Sequence, residues 1–166
     1  ITTVRQGDRV AHFYRHHDGH PPFAGADLAT LLHRTEASFG RFLGALQSAV
    51  EQEIPGRESV YEPIDVRGDG APDLDGTDLE WGYELAFPPR HEQRDAERED
   101  LARTVAVRVF RRPIGKASRC VFEGDGWGFV EWVDRYIEDC RLSTGARFPR
   151  VLNAWGGFER RLCSFE

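Results

Sequence analysis

Residues 78–87 read DLEWGYELAF. Leu79, Trp81, Tyr83, Leu85 and Phe87 recur at every second position, with Glu80 and Glu84 between them. Successive side chains of a strand point to opposite faces, so this alternation predicts a half-buried strand of an antiparallel sheet. LARTVAVRVFRR, residues 101–112, resumes the pattern, with Val105, Val107 and Val109 on one face and Ala106, Arg108 and Phe110 on the other. Opposed strands would set Glu80 or Glu84 against Arg108 as a cross-strand ion pair. The stretch between them, residues 88–100 (PPRHEQRDAERED), carries too little apolar surface to pack and is expected to be a solvated, mobile connection. Upstream, SVYEPIDV at residues 59–66 predicts another strand, which Pro63 confines to a sheet edge or bulge.

Working outward, TVRQGDRVAHFYRHH at residues 3–17 predicts two short strands joined at Gln6-Gly7, where glycine supplies the positive φ of a hairpin turn. Val10, His12, Tyr14, His16 and Asp18 would share one face of the second strand, and Ala11, Phe13, Arg15 and His17 the other. Leu28, Leu31, Leu32, Thr35, Phe39, Phe42, Leu43, Leu46 and Val50 recur at three- and four-residue steps, predicting one long helix from near Asp27 toward Gln52. Gly40 and Gly44, one turn apart within it, suggest close approach of a neighbouring backbone. A second helix follows in EGDGWGFVEWVDRYIEDCRL, residues 123–142, with Phe129, Val130, Val133, Tyr136, Ile137 and Cys140 as its apolar stripe and Asp125 near its start. The tail from Thr144 reads as either helix or strand. The expected fold is therefore α+β: a single domain over residues 1–166, with a mostly antiparallel sheet and two main helices packed on it in the order ββαββ(β)α.

Composition excludes several classes of function. A formal net charge of −6 opposes non-specific attraction to nucleic acid or anionic lipid. No apolar run reaches the roughly 18 residues of a membrane span. Cys120, Cys140 and Cys163 are widely spaced and form no Cys-x-x-Cys, which argues against a disulfide framework or zinc knuckle and fits a reduced, cytoplasmic setting. The first ten residues lack a signal-peptide layout, and with no Met anywhere the true start can lie upstream. A calcium loop in DGAPDLDGTDLE, residues 69–80, fails: with Gly76 as its sixth residue, Ala71 and Gly82 occupy positions that require carboxylates.

The chemistry concentrates in HFYRHHDGHPP, residues 12–22, which holds four of the six histidines. Three readings stand open. His16, Asp18 and His20 have donor types that a divalent transition metal accepts, provided the turn folds His20 back toward the other two. Alternatively, His16 and Asp18 act as an acid/base pair assisted by Tyr14, just before a helix N-terminus that favours anions. No nucleophile elbow or phosphate loop accompanies them. The third reading is a structural corner, with Asp18 in an Asx turn, Gly19 at positive φ and Pro21 stiffening the exit. On that basis the function expected is binding of a small ligand or protein partner through Tyr14, Arg15, His16, Asp18 and Gly19. The alternative is an enzyme, metal-assisted or not, using His16 and Asp18.

FYRHHDGHPPFAGADLATLL, residues 13–32, resembles the opening of a group of small proteins, common among phages, prophages and actinobacteria, for which no activity is assigned. Tyr14, His16, Asp18, Gly19 and Pro21 match that pattern, over about the first third of the chain. The group often has Trp after the His and usually Tyr after the Gly, where this chain has His17 and His20. The resemblance implies neither substrate nor cofactor, and those two departures count against a metal site that depends on His20.

Overall fold

The computed structural model describes residues 1–15, 19–51, 62–63, 80–89, 92, 101–112, 117–145 and 151. Six strands form one sheet: β1 (Thr2–Gln6), β2 (Arg9–Tyr14), β3 (Glu62–Pro63), β4 (Trp81–Ala86), β5 (Ala106–Arg111) and β6 (Arg119–Asp125). Their order across the sheet is β3-β2-β1-β4-β5-β6. All neighbours are antiparallel except β1 and β4, which run parallel. The helices are α1 (Ala26–Arg34), α2 (Phe39–Glu51) and α3 (Gly126–Thr144). The class is α+β, as the alternation and periodicity predict. Gly7 turns the first hairpin at φ +56°, and Pro63 sits in the edge strand, opposite Phe13, an edge position that tolerates proline.

The long helix expected over residues 27–52 is in fact two. The Ala37 N–H donates to the Leu32 carbonyl at 2.8 Å and the Glu36 N–H to the His33 carbonyl at 3.0 Å, while Glu36 and Ala37 take φ +51° and +49°. This is a Schellman stop with glutamate, rather than glycine, in the left-handed position. Apolar spacing runs through the break undisturbed, because Thr35, Ala37 and Phe39 are all buried. Ser38 restarts the chain by accepting from the Phe42 N–H at 2.8 Å. Gly40 and Gly44 were expected at a close backbone approach, yet a Cβ at either would meet nothing within 4 Å. That role falls to Gly126, where a Cβ would lie 2.5 Å from the Ala102 carbonyl oxygen.

Trp81, Tyr83, Leu85 and Phe87 face inward, with Val4, Phe13, Val107 and Val109 beside them. Leu28 and Leu32 of α1, Phe42 and Leu46 of α2, and Phe129, Val130, Val133 and Ile137 of α3 close over this inner face to complete one core. Each such side chain withdrawn from water stabilises the fold by about 1.5–3 kcal/mol. Strand β6 is absent from the expected order, because RCVFEGD alternates weakly and none of its residues is fully buried. The segment at residues 101–112 begins with a 3₁₀ turn, Leu101–Thr104, before strand geometry starts at Ala106. Glu84 pairs with Arg108 as expected, whereas Glu80 pairs with Arg111 at 3.3 Å. Leu79, most of the charged connection and all of the tail beyond Gly145 except Val151 lie outside the described residues. No helix among the described residues is long and apolar enough to cross a membrane.

Candidate functional site

Strand β2 ends at Tyr14, and the chain re-enters regular structure at Pro21, the first residue of a single π-helical turn, Pro21–Gly25. Two prolines open that turn, where their lack of an N–H costs no hydrogen bond. The Phe23 and Ala24 N–H groups both donate to the His20 carbonyl at 3.0 Å, and α1 follows directly. The corner between these points contains every residue singled out for chemistry. His16, His17 and Asp18 lie outside the described residues, which include the two ends of the corner.

On the near side, Arg15 reaches α1, its guanidinium Nη1 donating to Asp27 Oδ2 at 2.6 Å. The arginine side chain is 11% exposed and the carboxylate 53%, so the pair straddles the surface. Asp27 also lies in the first turn of α1, where a negative charge complements the helix dipole. On the far side, two aromatic side chains of β4 hold the backbone and ring of the corner. The Tyr83 hydroxyl donates to the Gly19 carbonyl at 2.9 Å, and the Trp81 indole N–H donates to His20 Nδ1 at 3.1 Å. A neutral imidazole that accepts at Nδ1 carries its proton on Nε2, so His20 in this arrangement has no lone pair left for a metal ion.

The anchors are themselves fixed. Tyr83 is buried edge-on against Phe129, at 6.3 Å between ring centroids. Trp81 meets Tyr136 edge-on at 5.7 Å and carries the Arg111 guanidinium 5.4 Å over its face. Burial foremost, and Cys140 after it, pushes the Tyr136 phenol above its ordinary pKa. Sequence alone favours core packing for Trp81 and Tyr83, with a ligand pocket as the alternative for Trp81. Their signal was chemical: a core aromatic with an O–H or N–H at its tip requires a polar partner at that depth.

The remaining sequence candidates separate. Tyr14 is half-buried and follows His12 by two residues, on the sheet face opposite Phe13. Gly19 and His20 meet side chains of the inner face. His12 is buried on the outer face, its Nδ1 2.9 Å from Thr3 Oγ1. His33 lies in the last turn of α1, and burial followed by the Arg34 charge lowers its pKa. His91 lies outside the described residues. Among the described residues no group of three or more His, Cys, Asp or Glu side chains is placed to hold a metal ion. No family model, curated protein or solved structure matches the chain.

Proposed function

We propose that this is a cytosolic accessory protein of a bacterial or phage genome that binds a small ligand through the corner from Tyr14 to Pro21. The observation that carries the reading is that both ends of the corner are fastened by side-chain hydrogen bonds to regular elements: Arg15 to α1, and Gly19 and His20 to β4. A loop held in this way on a rigid sheet is a means of presenting binding groups with little entropic cost on association. His16 and Asp18 are the recognition groups in this reading. Tyr83 and Trp81 fasten the adjoining Gly19 and His20. The free thiols of Cys120 and Cys140 accord with a reducing compartment.

The test compares recognition residues with anchors. His16→Ala and Asp18→Ala should stay within about 1 °C of the parent Tm, because in this reading the two side chains serve recognition and not the fold. Tyr83→Phe should lower it by about 2–4 °C, the usual effect of removing one buried hydrogen bond in a chain of this size. Native mass spectrometry of the parent should show a retained small molecule that both alanine variants lose. A Tm loss in His16→Ala or Asp18→Ala as large as that in Tyr83→Phe would make the corner a structural device and overturn the proposal.

A further inference from the structure

The outer face of the sheet holds a half-open cavity of about 300 Å³, on the face of β4 opposite the one whose side chains hold the corner. Strand register explains its shape. Gly82 pairs with Phe110 on β5, Thr3 pairs with His12 on one side and Glu84 on the other, and Glu84 follows Gly82 by two residues on the same face. The row of outer side chains is therefore interrupted at Gly82, leaving bare backbone as a floor. Phe110 of β5 flanks that floor on one side and His12 of β2, opposite Thr3, lines the slot on the other, with Glu80, Glu84 and Arg112 as its charged lining. His12 is held in place by its bond to Thr3. A slot floored by flat peptide backbone and flanked by two rings suits a planar ring, which gains edge or face contacts there. Its volume lies at the lower end of the range for ligand pockets.

Charge selects further. Arg108 donates from both Nε and Nη2 to the Glu84 carboxylate, and Arg111 pairs with Glu80. Among the described residues Arg112 has no carboxylate partner. Both carboxylates of the lining, Glu80 and Glu84, are thus paired, and Arg112 is the lining charge without a partner among the described residues, a guanidinium able to grip a carboxylate in bidentate fashion. We propose that the outer-face slot binds a small aromatic carboxylate, its ring over Gly82 beside Phe110 and its carboxylate on Arg112.

Benzoate is the probe. Titrated into the ¹⁵N-labelled full chain, it should shift the amides of Thr3, Gly82 and Phe110 saturably at roughly millimolar strength, the level open to a ligand of so few atoms. Arg112→Gln, an exposed change that leaves the core untouched, should weaken benzoate about tenfold, the usual penalty for losing one charge-assisted contact. Binding of neutral benzyl alcohol should be the same in both proteins. Gly82→Leu should abolish both interactions by filling the floor, its fold checked from the same spectra. Shifts that do not saturate, that scatter away from these residues, or that persist unchanged in Arg112→Gln overturn the proposal. Equal affinity for cyclohexanecarboxylate overturns the aromatic assignment.

Discussion

Glu36 holds a left-handed backbone conformation that costs an L-residue about 1–2 kcal/mol and glycine almost nothing. Its side chain recovers part of this by accepting from Arg41 at 2.9 Å, but that pair is exposed at 67% and 31% and is worth less than about 1 kcal/mol. The backbone term wins. Glu36→Gly should therefore raise the unfolding free energy by up to about 1 kcal/mol in urea titrations, with the m-value unchanged. His33, three residues earlier, carries a different signature. Burial, with Arg34 adding to it, holds its pKa below the ordinary 6.5, so folding favours the neutral ring. That contribution is fully present above about pH 6.5 and is lost as the pH falls through the depressed folded value. His33→Gln should flatten the decline of Tm between about pH 7 and pH 5 relative to the parent, as differential scanning fluorimetry across that window would show. An unchanged slope would mean that His33 is as well solvated in the folded chain as in the unfolded one.

At the scale of elements, α3 is the best defined. Asp125 takes extended backbone angles and accepts the Gly128 N–H at 2.7 Å, a side-chain cap for an orphan donor of the first turn. Gly145, at φ +72°, stops this nineteen-residue helix at its other end. Asp125→Ala should cost about 1 kcal/mol, read as a lowered denaturation midpoint, whereas Asp125→Ser should retain most of the stability. This cap, the hairpin at Gly7 and the alternation of β4 are all legible in the sequence because each depends on neighbours within four residues. What escapes is set at long range. The stop at Glu36 is hidden because its signal, a glycine, is absent while the apolar spacing runs on through Thr35 and Phe39. The parallel pairing of β1 with β4 joins residues some eighty positions apart. The same is true of the candidate site. The cluster of imidazoles stands out on the page, but its anchors Trp81 and Tyr83 lie more than sixty residues away and look like ordinary core residues.

Over the whole molecule, the polar interactions differ more in burial than in number, and burial decides which of them matter. Arg108 with Glu84, Arg111 with Glu80 and Arg141 with Glu138 are each more than a third exposed on at least one side, so solvent screens them to fractions of a kcal/mol. Asp134 is different. It lies on α3 at 1% exposure, and its Oδ1 accepts the Val151 N–H at 2.6 Å in a fully buried contact. Nothing in the apolar periodicity of α3 marks it, since it occupies a place where a hydrophobic residue would satisfy the pattern equally well. A hydrogen bond to a buried carboxylate is worth about 1.5–3 kcal/mol, and removing the acceptor also strands the Val151 donor away from water. Asp134→Ala should therefore cost about 2–4 kcal/mol and lower Tm by about 5–12 °C, more than breaking any of those three ion pairs. Amide exchange at Val151 should accelerate in step, because its protection depends on this acceptor. Asp134→Asn keeps an oxygen at the same place and should restore much of that protection. If Val151 exchanges equally slowly in all three proteins, the segment at residue 151 is held against α3 by packing alone, and the carboxylate does not tie it to the core.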